Sequence, residues 1–348
     1  MKHSANLDIL RSFAVTLVLI DHLVPTLVAR TGFHNAAVSA FTNQIGHAGV
    51  LAFFVHTSLV LMYSLERMSQ TPGAVTLRFY VRRFFRIYPL SIFCIVMALV
   101  LHIPNNVWRT VDPITPPIIV ANLLLVQNLF TKISVLVPLW SLPYEVQMYL
   151  VLPLLYFLAL RKRSPAYLFG LYALFCGIGF LIALRSTHMN MAAYAPCFIC
   201  GVLCYSLRNR IRQVVPSFLW PVFVVALISA YCLTNLHGEP NFWIGWLYCL
   251  ILGLAINAFH DSGNKPLKFA AQKVALYSYG MYLLHVPVLY LLFVVFGMQN
   301  RPVAVVLFFA LTTIGSVITY HFIEAPLIEV GRRVSSHPVQ TPALASTK

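Results

Sequence analysis

Long apolar runs follow one another through almost the whole chain, separated by turn residues or small groups of charges. A run of about 20 apolar residues is enough for a helix that crosses a bilayer. The runs lie at 7–28, 46–65, 85–103, 141–160, 166–184, 192–207, 217–236, 242–259, 274–296 and 302–324. We therefore predict an all-α, polytopic integral membrane bundle of about ten transmembrane helices.

The composition agrees with a membrane protein. Of the 348 residues, 59% are apolar and 9% are charged, whereas ordinary soluble domains carry about 25% charged residues. The formal net charge of +15 does not require a nucleic-acid partner, because basic residues collect in the cytoplasmic loops of membrane proteins. Placing both termini in the cytoplasm puts most Lys and Arg residues in such loops. The apolar segment near 118–130 is too short to cross, so we predict that it is re-entrant or interfacial.

The first apolar run contains three ionisable residues that share one helical face. Asp8 precedes Arg11 by about one turn, and His22 follows Arg11 after about three full turns and ~16 Å of helix rise. Ionisable side chains at membrane depth are costly, so each is a functional candidate. The alternatives are that Arg11 extends to the inner membrane surface and that His22 is a packing residue.

Two carboxylates, Glu145 and Glu324, are predicted to lie at the same depths in the membrane as ionisable residues of the first helix. Glu145 lies near the outer end of the fourth predicted span, and His22 lies near the outer end of the first. A histidine and a carboxylate at the same depth can act as a base and its orienting partner. Glu324 ends the last span near the depth of Arg11, and we expect these two residues to pair. Glu324 can instead cap a helix before Pro326. Both pairings assume that the helices are neighbours.

A basic segment leads from the cytoplasm into the third span. Arg82 and Arg83 each lie about one helical turn before Arg86, so their guanidinium groups can converge on a phosphate. Juxtamembrane clusters of this kind also bind anionic lipid headgroups. The cluster by itself favours the lipid interpretation.

A polar stripe runs along the ninth span. Ser278, Tyr282 and His285 follow one another at spacings of four and three residues and share a face. They either line a cavity or join helices by hydrogen bonds. The seven cysteines, in contrast, lie in wholly apolar surroundings. We expect them to be packing residues and predict neither a disulfide framework nor a metal site.

Several motifs occur in a fixed order along the chain. They are Leu7 to Ala14 with His22, Gly49-Val50 with Phe53 to Val55, Arg83 to Pro89, Trp140 to Leu142 with Glu145, Tyr149 to Pro153, Ser278 to His285, and Glu324 to Pro326. In this order they resemble the acyltransferase 3 family of integral membrane acyltransferases, and they cover nearly the whole chain. One departure is His56-Thr57-Ser58, where the family usually has Leu-Ser-Gly. We expect this change to affect the cavity and the approach of a neighbouring helix.

The resemblance implies transfer of an acyl group, most often acetyl from acetyl-CoA, to a sugar hydroxyl. It implies catalytic roles for His22, Glu145 and Arg11, contacts to CoA phosphates from Arg82, Arg83, Arg86 and Arg11, and further cavity positions for Asp8, Ser278, Tyr282, His285 and Glu324. His22 takes the proton of the acceptor hydroxyl while Glu145 orients it, or the acyl group passes through His22 or a tyrosine covalently. Succinyl and longer acyl donors fit the same pattern.

The implied acceptor is a cell-surface or exported glycan or a lipid-linked saccharide, and the implied location is a bacterial inner membrane. We expect a membrane domain over 1–333, a disordered cytoplasmic tail over 334–348, and a stand-alone member without the esterase-like domain that some relatives append. The expected partners are acyl-CoA, the glycan and membrane lipids. The alternative function is a proton-coupled transporter or flippase of a sugar or glycolipid, whose broken helices and internal symmetry are not visible in the sequence.

Overall fold

Helices account for nearly all of the regular structure in the computed structural model. It describes residues 4–29, 36–68, 72–105, 112–131, 133–161, 164–185, 191–235 and 241–336. The α-helices are α1 Ala5–Ala29, α2 Ala36–Glu66, α3 Pro72–Val100, α4 Pro116–Leu123, α5 Gln127–Phe130, α6 Leu142–Arg161, α7 Ala166–Arg185, α8 Met191–Leu207, α9 Leu219–Thr234, α10 Phe242–Ala255, α11 Lys265–Leu289, α12 Arg301–Thr319 and α13 Ala325–Ser336. Within the described ranges the chain forms no β-strand, which confirms the predicted all-helical class.

Several helices have the length and composition of membrane spans. In the described part of the chain, five helical segments are long and apolar enough to cross a membrane: Phe41–Glu66, Pro72–Val100, Val137–Leu160, Lys265–Val295 and Arg301–Ser336. Shorter apolar helices lie at Ala166–Ile182, Ala193–Leu207, Leu219–Thr234 and Phe242–Ala258. The total of about ten crossings and the cytoplasmic position of both termini stay predictions.

The segment predicted not to cross folds into two short helices, α4 and α5, of eight and four residues. Leu125, between them, has a positive φ of 54° that ends the first helix. Asn122 ties the segment to the chain before α6, since its Nδ2 donates to the Ile133 carbonyl at 3.0 Å and its Oδ1 accepts from the Val135 N–H at 3.0 Å. Neither helix is long enough to span a bilayer. Re-entry and an interfacial position both stay open.

Helix α1 lies between α2 and α11 and forms the centre of the bundle together with them. The packing of α2 against α8 is especially close, because a Cβ added at Gly201 would overlap the Ser58 hydroxyl and the Val55 carbonyl. Ser58 occupies the position where the family usually has glycine. In this chain, therefore, the glycine that lets α2 and α8 approach closely is Gly201 of α8 and not a residue of α2.

The last two long helices each contain a π-helical turn. Tyr290–Val295 continues α11, and Tyr320–Glu324 joins α12 to α13 without a break in the helical backbone. Helix α13 packs on α3, where Gly331 faces the Phe85 side chain. Residues 334–336 belong to α13, so the predicted tail starts too early. The rest of that tail, 337–348, lies outside the described residues.

Candidate active site

A central cavity lies among α1, α2, α3, α6 and α11. Its polar lining consists of Arg11, His56, Thr57, Arg83, Arg86, Ser141, Glu145, Tyr149, Ser278, Tyr279 and Tyr282. Of the residues singled out in the sequence, this cavity brings together Arg11, Arg83, Arg86, Glu145, Ser278 and Tyr282. Charged groups from three helices, α1, α3 and α6, therefore meet inside the bundle, as expected for a functional site rather than for packing.

A second, larger cavity adjoins the first, and we call it the mouth cavity. The two share Arg11, His56, Val60 and Arg86 in their walls. The other polar residues of the mouth cavity are Ser4, Asp8, Tyr63, Arg67, Gln272 and Tyr320. Ser4, Arg67 and Gln272 lie at helix ends that the predicted topology assigns to the cytoplasm. The two cavities share part of their walls, and the predicted topology puts the mouth cavity on the cytoplasmic side of the central cavity.

Arg11 is held against α11 by a short hydrogen bond. Its Nε donates to the Ser278 hydroxyl at 2.7 Å, and that hydroxyl donates in turn to the Ala275 carbonyl at 2.8 Å. Both residues line the central cavity. The guanidinium is thus fixed at the junction of the two cavities, and the alternative that Arg11 simply extends to the membrane surface does not describe its position.

The buried carboxylate of Glu324 pairs with Arg86 and not with Arg11, so the predicted partner is wrong. Arg86 Nη1 donates to Glu324 Oε2 at 2.7 Å, and the Glu324 side chain is only 1% exposed. The Arg86 guanidinium also lies 5.7 Å from the centre of the Tyr279 ring. Sequence periodicity cannot show that α3 lies beside the end of α12, and this neighbourhood decides the pairing.

Glu145 belongs to the cationic part of the central cavity. It accepts a hydrogen bond from the hydroxyl of Tyr149, one turn later on α6. Arg11, Arg83 and Arg86 all interact with its carboxylate electrostatically. The Nε of Arg83 is buried without a hydrogen-bond partner in the described structure. The carboxylate is therefore engaged by tyrosine and arginine, whereas the sequence suggested a histidine partner.

The ring that contacts His22 is a second histidine. The centroids of His22 and His285 lie 4.9 Å apart with the rings inclined by 64°. His22 Nδ1 lies 2.9 Å from the Val18 carbonyl, and His285 Nδ1 lies 3.2 Å from the Met281 carbonyl. These carbonyls assign the proton of each neutral ring to Nδ1, which leaves Nε2 as the basic nitrogen.

The histidine pair lies beyond one wall of the central cavity. That wall contains Tyr282 and Ser141, whose hydroxyl groups are 2.8 Å apart. The Tyr282 ring is centred 6.1 Å from that of His285, and His285 Nε2 is buried with no hydrogen-bond partner among the described residues. Asp21 Oδ2 approaches His22 Nδ1 to 3.6 Å. Tyr282 therefore lies between the central cavity and the histidine pair, which lines neither cavity.

Arg82 faces away from both cavities. Its Nε donates to the Ser335 hydroxyl of α13 at 3.0 Å. Of the three arginines expected to converge on a phosphate, only Arg83 and Arg86 line the central cavity. Spacings of three and four residues both correspond to one turn, so spacing alone could not tell which side of α3 faces inward.

Some lining residues were not singled out as site candidates in the sequence. Tyr149 was noted only within a motif, although its position four residues after Glu145 already predicts contact on a helix. Arg67 carried no local signal, because it lies just beyond the end of α2 among polar residues. Within the described ranges, no group of three or more His, Cys, Asp or Glu residues could hold a metal ion.

Comparison with known proteins identifies the family of the chain. It belongs to the acyltransferase 3 family, since the family model described as an acyltransferase domain matches residues 4–321. Relatives include the O-acetyltransferases OatA of Staphylococcus aureus strains NCTC 8325 / PS 47, COL and MRSA252, each 26% identical over 95% of this chain. The chain covers 58% of the length of these relatives. No solved structure matches it.

Proposed function

We propose that the protein is a membrane O-acyltransferase that moves an acyl group, most simply acetyl, from cytoplasmic acyl-CoA to a hydroxyl of an exported or cell-surface glycan. The observation that carries the proposal is the path formed by the mouth and central cavities. It passes four arginines and ends at Tyr282, whose ring is centred 6.1 Å from that of His285. The name of the OatA relatives, O-acetyltransferase, supports the same reaction class.

The arginines of the central cavity suit the donor. A guanidinium binds phosphate through parallel hydrogen bonds, and it also donates to amide carbonyls such as those of a pantetheine arm. Arg83 has an unused buried Nε, and Arg86 bridges both cavities. With the nucleotide end on the mouth side, the thioester lies in the central cavity, whose walls include Thr57, Ser141 and Tyr282.

The histidines suit the transfer step. His22 Nε2 takes the proton of the acceptor hydroxyl, whose oxygen attacks the thioester carbonyl carbon. The carbon–sulfur bond then breaks, and the thiolate of CoA takes the proton back from His22. While His22 holds the proton as an imidazolium, the Nε2 of His285, which has no hydrogen-bond partner among the described residues, stabilises its charge. The sequence suggested Glu145 for this role. Glu145 instead balances the arginines that bind the donor.

The donor half of this proposal is tested by calorimetry of acetyl-CoA binding to purified protein in nanodiscs. We expect saturable binding to the wild type and a loss of binding in Arg83→Ala. Arg83 is preferred over Arg86 because removing Arg86 would also leave the buried carboxylate of Glu324 unpaired. Size-exclusion chromatography checks the fold of the variant. No binding of acetyl-CoA or of longer acyl-CoAs to the wild type would refute the proposal and favour transport.

The transfer half is tested in cells that produce only the variant protein. We expect His22→Ala to retain acetyl-CoA binding and to abolish the alkali-labile acetate of isolated cell-surface glycan. His260→Ala is the matched control, since this histidine is exposed near Phe259, away from both cavities. Normal glycan acetylation by His22→Ala would refute the assigned role of His22.

A further inference from the structure

One arginine in the wall of the mouth cavity, Arg67, belongs to none of the motifs found in the sequence. Arg67 follows the last residue of α2 and lines this cavity together with Gln272 of α11 and Ser4. Its neighbour Glu66 is already paired at 2.8 Å with Arg208, the residue that follows α8. Within the described residues, Arg67 itself forms no ion pair. The positive charge of Arg67 is therefore available to a ligand in the cavity.

The balance of charge in the mouth cavity favours an anion. Its walls contain Arg11, Arg67 and Arg86 against the single carboxylate of Asp8. Glu324 pairs with Arg86, and Glu324 and Glu145 both attract Arg11. Among the described residues no ion pair involves Arg67, so its charge is the one least offset in this cavity. The more obvious basic cluster does not contribute here, because neither Arg78 nor Arg82 lines the cavity.

The distance from Arg67 to the thioester end suits an extended donor. Thr57, in the wall of the central cavity, precedes the end of α2 at Glu66 by about 13 Å of helix rise. A pantetheine arm has about twelve bonds between its phosphate and its sulfur, and an extended chain gains ~3.5 Å for every three bonds, so the arm reaches about 14 Å. A phosphate near Arg67 and a thioester near Thr57 are therefore compatible with one molecule.

We propose that Arg67 binds a phosphate group at the nucleotide end of the acyl-CoA donor, and that Arg82 does not. This inference rests on the proposed function, because it assumes that the two cavities hold acyl-CoA. It assigns the phosphate contact to the end of α2, whereas the arginine motif of α3 supplies the inner contacts through Arg83 and Arg86. Arg67 is then a residue that discriminates CoA thioesters from thioesters without phosphate.

The test is calorimetry of acetyl-CoA and of 3′-dephospho-acetyl-CoA in a non-ionic detergent that contains no phosphate, so that a lipid headgroup cannot occupy the site. We expect Arg67→Ala to weaken acetyl-CoA binding by ~10-fold or more, as for the loss of one charge-assisted hydrogen bond. Arg67→Glu should weaken it further, and Arg67→Lys should retain part of the affinity. Arg78→Ala is the matched control, since it removes an arginine outside both cavities.

Binding of 3′-dephospho-acetyl-CoA shows which phosphate of the donor Arg67 contacts. If Arg67→Ala weakens acetyl-CoA but leaves the affinity for the 3′-dephospho form at the wild-type value, Arg67 binds the 3′-phosphate. If both ligands weaken equally, it binds the pyrophosphate, which also supports the proposal. The inference is overturned if Arg67→Ala binds acetyl-CoA as tightly as Arg78→Ala does. It is also overturned if Arg82→Ala loses more affinity for acetyl-CoA than Arg67→Ala. Either result leaves the proposed function intact. Failure of the wild type to bind any acyl-CoA overturns both.

Discussion

The buried pair of Arg86 and Glu324 allows a quantitative prediction about stability. The atoms are 2.7 Å apart, the Glu324 side chain is 1% exposed and that of Arg86 is 19% exposed. Glu324→Ala leaves the Arg86 guanidinium buried without its partner and close to the like charge of Arg11. Removing one member of a buried ion pair costs ~3–5 kcal/mol. We expect a loss of this size in the free energy of unfolding.

The assay is denaturant unfolding of purified protein in detergent, followed by tryptophan fluorescence. The matched control is Glu329→Ala, which breaks the exposed ion pairs of Glu329 with Arg332 and Arg333 at 2.7 and 2.9 Å. Exposed pairs contribute about 0–1 kcal/mol, so this control should change little. The double variant Arg86→Met/Glu324→Leu should recover most of the lost stability, because well-packed apolar residues often replace a buried pair without net cost.

Two results would refute this reasoning. One is a loss of stability in Glu324→Ala that is no larger than in Glu329→Ala. The other is a double variant no more stable than Glu324→Ala, since the loss would then not come from an unpaired charge on Arg86. The double variant should not regain acetyl-CoA binding in any case, because Arg86 lines both cavities. Stability and binding are thereby measured separately.

Two further predictions concern packing and the cavity wall. Gly201→Ala should destabilise the protein by ~1–3 kcal/mol in the same unfolding assay, because its Cβ would overlap the backbone of α2, whereas Gly177→Ala has open space and should be neutral or slightly stabilising. Equal effects of the two variants would contradict the close crossing of α2 and α8. Tyr282→Phe removes the hydroxyl that bonds to Ser141 in the wall of the central cavity, so a looser wall should raise acetate release from acetyl-CoA without an acceptor relative to glycan transfer. An unchanged ratio, measured with radiolabelled acetyl-CoA, would mean that this hydroxyl pair is not a barrier.

The residues of the central cavity were the most predictable part of the site. Arg11, Glu145 and Arg86 are ionisable groups inside or at the ends of apolar runs, and the cost of placing such groups in lipid marks them without knowledge of the fold. The regular spacing of Ser278 and Tyr282 correctly placed both on one face of α11. The all-helical class followed from the same apolar runs.

The partners of these residues could not be predicted, because they depend on which helices are neighbours. The charge of Glu324 was recognised, but its pairing with Arg86 requires α3 to lie beside the end of α12. The contact of His22 with His285 likewise requires α1 and α11 to be adjacent. Arg82 illustrates a second limit, since helical periodicity gives relative angles between side chains but not the direction of the helix interior.

The π-helical turn before α13 has a consequence for the phase of the last predicted span. Buried positions on α12 advance by three or four residues from Ala304 to Thr319, and then by five residues to Glu324. A π turn holds one residue more than an α turn, so the side chains after it are rotated by about 100° relative to an uninterrupted helix. An ordinary α-helix would turn Ile323 towards Arg86 instead of Glu324. The ion pair at the cavity thus depends on one extra residue of backbone, which makes the number of residues in this turn as constrained as the identity of the carboxylate.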